Sequence, residues 1–128
     1  MNNTCPFCSF CPENIWCEVP QVVAVWDSFP VTDGHLLIVP TTHVQSLFEL
    51  DTLIQTQLWS FVSQCRDELV QRLGVTSFNI GINDGKAAGQ TIDHAHIHII
   101  PRRDGDHIDP RGGIRWVVPE RAAYWEAD

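Results

Sequence analysis

The stretch TIDHAHIHIIP, residues 91–101, decides how this chain is read. Histidines at 94, 96 and 98 alternate with Ala95, Ile97 and Ile99. On an extended chain successive side chains point to opposite faces, so three imidazoles share one face and the apolar residues share the other. At this composition, two further histidines at those positions would follow the first about two times in a thousand. The apolar face needs a packing partner, and residues 51–73 supply one. There Ile54, Leu58, Phe61, Cys65, Leu69 and Leu73 recur at three- to four-residue steps, a single stripe on a helix. Asp51 is the expected N-cap and Gly74 the expected stop. Cys65 lies on the stripe and is read as a small core residue.

Working outward, QVVAVW (21–26) and HLLIV (35–39) are short apolar runs separated by Asp27, Pro30, Asp33 and Gly34. That punctuation predicts an antiparallel pair. TSFNIGI (76–82) places Phe78, Ile80 and Ile82 on one face of a further strand, and the turn-rich NDGKAAGQ (83–90) leads into the histidines. Trp116, Val117 and Val118 are predicted as a short edge strand in an otherwise irregular tail. Four or five strands with one long helix, and no βαβ alternation, indicate an α+β domain on an antiparallel sheet. With 128 residues, 44% hydrophobic and 19% charged, the chain is expected to be a single domain over 1–128, with its own core and no need of disulfides.

Sixteen acids against eight bases give a net charge of −8, and Lys86 is the single lysine. Such a chain is a poor partner for nucleic-acid backbones or anionic membranes. If it handles phosphate, it must do so in a small, locally polarised pocket. The five cysteines are odd in number and crowded at the start (Cys5, Cys8, Cys11, Cys17, then Cys65), unlike a secreted disulfide framework. No leader-like or bilayer-length apolar segment stands out, so a cytoplasmic location with reduced thiols is expected.

Two chemistries fit the histidine row. Three neutral imidazoles can hold a catalytic zinc, although same-face neighbours on a strand stand about 6.5–7 Å apart and three in a row converge poorly. Alternatively one histidine is a nucleophile toward phosphorus and its neighbours bind the anion. The preceding loop favours the second: Gly85 and Gly89 permit close backbone approach, while Asn83, Gln90 and Thr91 are neutral donors. Separately, Cys5 and Cys8 have the spacing at which one turn presents two thiolates to one ion.

The segment 83–101, NDGKAAGQTIDHAHIHIIP, resembles the signature of the histidine triad (HIT) superfamily, and DSFPVTDGHLLIVPTTH (27–43) resembles its upstream block. The likeness runs over about residues 5–119, leaving 120–128 as a tail, and is nearest to the bacterial branch with an N-terminal Cys-x-x-Cys and a later DPRGGIRWVVP (109–119). The resemblance implies a HIT-like fold of about five strands against one long helix with short helical segments, and a homodimer. It implies hydrolysis or transfer at the α-phosphate of purine nucleotides (dinucleoside polyphosphates, adenylates or phosphoramidates) through a covalent nucleotidyl-histidine. His96 would be the nucleophile, His98 would bind the α-phosphate and His35 would support the imidazole network. Asn83, Gly89, Gln90 and Thr91 would surround the phosphate, Asp27 would bind the ribose, and Phe7 and Val25 would line the purine pocket.

The resemblance also supplies two partners for the cysteine pair: a structural zinc on Cys5, Cys8, His43 and His94, with no organic cofactor. A Cys5–Cys8–Cys11 arrangement stays open, and Cys17 and His107 have no assigned partner. Arg102 and Arg103 read as a solvated turn beside Asp104 and Asp106. Arg111 and Arg115 could reach a distal phosphate or a partner subunit, and Tyr124 and Trp125 could pack across a dimer or on their own subunit. The competing function is a nucleotide-binding or sensing module with little catalysis.

Overall fold

A computed structural model describes residues 5–126. Five strands form one sheet: β1 (Ile15–Val19), β2 (Val22–Trp26), β3 (Leu36–Pro40), β4 (Ser77–Gly81) and β5 (Ile97–Arg102). Their order is β1-β2-β3-β5-β4, with antiparallel neighbours throughout. A long helix, α1 (Thr52–Leu73), covers one face, and a short α2 (Pro119–Ala122) lies near the end. This is the α+β, antiparallel architecture that the sequence pattern called for, with the five strands, one long helix and short helical segments that the resemblance implied.

The two faces of the sheet do different work. Val22, Ala24, Leu36, Ile38, Ile97 and Ile99 pack against Leu58, Phe61, Val62, Cys65 and Leu69 of α1, forming the dry core. Residues one step out of phase, Val23, Val25, Leu37 and Val39, face the other way and meet Phe7, Phe10 and Ile15. Strands β2 and β3 are therefore covered on both sides, which explains their unbroken apolar runs.

The helix ends where its sequence says it should. Gly74 takes a left-handed conformation (φ 68°) and donates its N–H to the Val70 carbonyl, closing the last turn. Asp51 occupies the N-cap position through its backbone, its carbonyl accepting from the Gln55 N–H, and its carboxylate makes no cap bond. Leu73 does not enter the core and is 38% exposed. Instead it lies against the turn before β3, where a Cβ on Gly34 (φ 90°) would come within 2.6 Å of Leu73 Cδ1. Gly34 thus meets two demands, a positive φ and a close approach.

Three expectations need correction. The fifth strand is β1, not Trp116–Val118, which falls on a 3-10 turn over Gly113–Val117 and the residue that caps it. Left-handed Gly112 and Gly113 coil the chain there, and the Arg115 N–H reaches the Gly112 carbonyl. Strand β1 escaped notice because a register shift between Ile15 and Cys17 breaks its alternation. Finally, β5 begins at Ile97 rather than residue 91. The approach to it is bonded outside the ladder, with the Ala95 N–H donating to the Val44 carbonyl. Of the tail expected over 120–128, residues 127 and 128 lie outside the described residues.

Leu58 is 1% exposed at the centre of the helix–sheet core. Leu58→Ala should lower unfolding stability by about 2–5 kcal/mol without changing the fold, read as a reduced denaturant midpoint at an unchanged slope.

Candidate active site and metal cluster

A straight row crosses the sheet on the face opposite α1. Val25 pairs with Leu37, Leu37 with His98, and His98 with Gly81. His98 therefore stands between an apolar side, extended by Phe7, and an open side at the glycine. The alternation expected of the histidines survives although only His98 lies in the strand: Ala95, Ile97 and Ile99 enter the core, while the His96 ring sits 5.1 Å from His98 and meets Phe7 edge-on at 4.9 Å.

Hydrogen-bond partners assign a proton to each ring. His94, fully buried, donates from Nε2 to the Pro40 carbonyl at 2.8 Å, which leaves Nδ1 as a lone pair. The His94 carbonyl in turn accepts from His96 Nδ1 at 2.9 Å, leaving the lone pair on His96 Nε2. The Val31 N–H donates to His35 Nδ1 at 3.1 Å, so His35 carries its proton on Nε2. That proton lies between His98 Nδ1 at 2.9 Å and Asp27 Oδ2 at 3.4 Å. His98 Nδ1 is thus an acceptor, and His98 presents an N–H at Nε2. One ring offers a lone pair and its neighbour offers a donor.

Burial sets the charge of this network. Desolvation, with lesser contributions from His96 and His35, lowers the pKa of His98 from 6.5 to about 4. Burial likewise lowers His35, against the opposing pull of Asp27. The imidazole of His98 is therefore neutral at physiological pH, a donor without net charge.

The structure brings together Cys5, Cys8, His43 and His94, whose ligand atoms all lie within 4.8 Å of one another. A turn closed from the Cys8 N–H to the Cys5 carbonyl presents the two sulfurs. Cys5 Sγ is 3.4 Å from His94 Nδ1, Cys8 Sγ is 3.2 Å from His43 Nδ1, and the two Nδ1 atoms are 3.2 Å apart. Ordinary zinc–sulfur and zinc–nitrogen bonds in a tetrahedron require edges of about 3.3–3.8 Å, and these separations of 3.2–3.7 Å come close to them. The His94 Nδ1 lone pair faces this group, an arrangement that a cation would stabilise. Cys11, exposed, is not part of the cluster. A second group, Asp27, His35 and His98, is equally compact, but its atoms are held by the proton relay described above.

Other expected residues divide. Phe7 and Val25 share one apolar cluster beside the histidines. Asn83 and Thr91 are exposed on the approach to the row, and Gly89 (φ 96°) closes a tight turn. Gln90 departs from its expected role. Both of its amide hydrogens go to the Gln45 and Ile92 carbonyls, and its oxygen accepts from the Gly85 N–H. It braces the loop and has no donor left for a phosphate. Arg102 is bound by Asp106 through two bonds of 2.8 Å and by Asn79 at 2.7 Å. Arg111 pairs with Asp109 and lies 4.6 Å over Trp125, and Arg115 holds the Ala122 and Arg121 carbonyls. Trp125 packs on Gly112 of its own subunit. Pro40, Val31 and Asn79 had no signal in the sequence because they act through backbone atoms or long-range pairing.

An imidazole row fed by a Gly-rich loop, over a five-stranded antiparallel sheet backed by one helix, defines a histidine-triad site. Residues 10–105 match the HIT domain family model, and the chain belongs to that family. It is 36% identical over 110 residues to a protein named adenylylsulfatase HINT3 from Arabidopsis thaliana, a match covering 83% of this chain and 56% of that one. It is 30% identical to an AP-4-A phosphorylase of Mycobacterium tuberculosis, over 90% of this chain and 67% of the relative. The chain thus spans little more than half the length of the first relative. A zinc-bound histidine triad family protein from Mycobacterium smegmatis superposes with a TM-score of 0.71 at 33% identity, covering 83% and 80% of the two chains. No helix among the described residues is long and apolar enough to cross a membrane.

The depressed His98 has a thermodynamic signature. Between pH 6.5 and about 4 the unfolded chain binds a proton that folded His98 refuses. Its contribution to stability is therefore complete above pH 6.5 and is lost as pH falls toward 4. Denaturant midpoints measured from pH 7 to pH 4.5 should fall, and His98→Asn should flatten that slope.

Proposed function

We propose that this protein cleaves purine nucleotides at the α-phosphate through a nucleotidyl-His96 intermediate, releasing a nucleoside monophosphate. One observation carries the reading: the His94 carbonyl holds the Nδ1 proton of His96, so Nε2 is a free lone pair beside the neutral donor His98. The relatives named as a phosphorylase of AP-4-A and as an adenylylsulfatase support the same class of chemistry.

In the first step His96 Nε2 attacks phosphorus, a P–N bond forms, and the bond to the leaving group breaks with its electron pair going to that group. His98 Nε2–H and the neutral donors Asn83 and Thr91 stabilise the charge on the equatorial oxygens, while Gly89, whose own N–H is bonded to the Lys86 carbonyl, lets the phosphate approach the backbone closely. In the second step water attacks phosphorus and loses a proton to solvent, and the P–N electron pair returns to His96. Asp27 holds the ribose hydroxyls, and Phe7 and Val25 form an apolar wall for the base. An apolar wall by itself distinguishes purines weakly.

The reading includes a structural zinc held by Cys5, Cys8, His43 and His94, all four positions being filled by protein. Bound there, it supplies no chemistry to the phosphate. It ties the N-terminal segment to the histidine approach. The reading also includes a homodimer: β4 is an outer strand of the sheet, and exposed Ile80, Ile114 and Val117 lie on or near that side.

Protein quenched during turnover should carry the mass of one nucleoside monophosphate on His96. His96→Ala should lose more than about a thousandfold in turnover while nucleotide affinity changes little. Binding by the wild type with no adduct and no released monophosphate would favour the sensing module instead. For the metal, elemental analysis should find one zinc per chain, and Cys8→Ser should lose it together with thermal stability. Chelation should lower the melting temperature before it lowers turnover per folded molecule.

A further inference from the structure

Cys17 and Cys65 belong to neither the histidine row nor the metal cluster, and both are free thiols. The irregularity in β1 decides where Cys17 points. Ile15 pairs with Val25 and packs with it on the face opposite α1. Strict alternation would return Cys17 to that same face. The register shift between the two residues makes Trp16 an extra residue, and Cys17 pairs with Ala24 instead. Directly opposed residues of an antiparallel pair share a face, and Ala24 lies in the core that contains Cys65. The bulge thus turns a thiol of the outer strand toward the helix.

The two thiols differ in what can reach them. Cys65 is 2% exposed, whereas Cys17 is open to solvent. Burial first, then the charge of Cys17 and a hydrogen bond with it, and last Glu68, push the Cys65 thiol up to about 12. A thiol that is buried and held protonated is inert to a dissolved oxidant, which attacks exposed thiolates. Cys65 nevertheless lies within hydrogen-bonding reach of Cys17. An accessible thiol is therefore backed by one whose reaction partner is its own neighbour.

We propose that Cys17 and Cys65 are a redox pair: peroxide oxidises Cys17, and a disulfide then joins β1 to α1. In the first step the Cys17 sulfur attacks one peroxide oxygen and the O–O bond breaks. Cys17 becomes a sulfenic acid, and the departing hydroxide leaves as water with the thiol proton. In the second step the Cys65 sulfur attacks the Cys17 sulfur and the S–O bond breaks. That hydroxide takes the Cys65 proton and also leaves as water. Two thiols lose two electrons, and one hydrogen peroxide is reduced to two waters. Within the sheet β1 is held by β2 alone, so the new bond fastens an outer strand directly to the helix. Neither nucleotide nor metal takes part, and the pair stands independently of the nucleotidyl-transfer reading.

Hydrogen peroxide added to the native wild-type protein, followed by alkylation of the remaining thiols in denaturant, tests the pair. Cleavage after glutamate separates residues 14–18, with Cys17 as the only cysteine, from 50–68, with Cys65 as the only cysteine. The two peptides should be recovered joined, two hydrogens lighter than their sum, and should part on treatment with dithiothreitol. The oxidised protein should melt about 5–15 °C above equally treated Cys17→Ser and lose that gain on reduction. In Cys17→Ser, an exposed position, Cys65 should stay fully alkylatable. In Cys65→Ala, Cys17 should stop at the sulfenic acid and be trapped by dimedone. Three results overturn the pair: Cys65 recovered as a free thiol from oxidised wild type, Cys17 joined to Cys5, Cys8 or Cys11, or joined 14–18 and 50–68 peptides without a rise in melting temperature.

Discussion

A fully buried imidazole must find partners for both of its nitrogens, and His94 meets this demand in a way that organises the whole site. Its Nε2–H goes to the carbonyl of Pro40, the last residue of β3, across 54 positions of sequence. That single bond holds the approach to β5 against the end of β3. It turns the Nδ1 lone pair toward Cys5, Cys8 and His43, and it aligns the carbonyl that fixes the proton of His96. The candidate metal site and the candidate nucleophile thus share one residue, His94, whose ring belongs to the first and whose backbone carbonyl holds the second.

A net charge of −8 first read as a warning against phosphate partners. The proposed site reconciles the two. In the proposed site the donors are imidazoles kept neutral by burial, an amide and a hydroxyl, none of which adds formal charge. The guanidiniums near the site are spent on Asp106, Asp109 and backbone carbonyls, where they hold the C-terminal segment in place. Local polarity and global charge are separate quantities here, and each is set by different residues.

Much of this was legible in the chain because it depends on short-range pattern. The three-to-four spacing from Ile54 to Leu69 marked α1, and Gly74 ended it. The alternation at 94–99 separated chemistry from core even though half of that stretch is not in the ladder. What escaped depends on contacts between distant segments. The bulge in β1 hides its period, the left-handed Gly112–Gly113 pair converts an apolar run into a 3-10 turn, and the amide of Gln90 is consumed by carbonyls at 45 and 92. A donor's identity can be read from sequence, but whether it is free depends on the folded neighbourhood.

The contact between Leu73 and Gly34 links two parts of the molecule that look independent. The last residue of α1 rests on the turn that delivers His35 to the row, so the helix acts as a prop for that turn. His35 in turn sets which nitrogen of His98 bears the proton. A methyl group at position 34 would touch no ligand and no other imidazole. The Leu73 tip could move aside, but an L-residue at φ 90° would still be strained in the very turn that presents His35, so the backbone freedom of that glycine serves the relay as much as the fold.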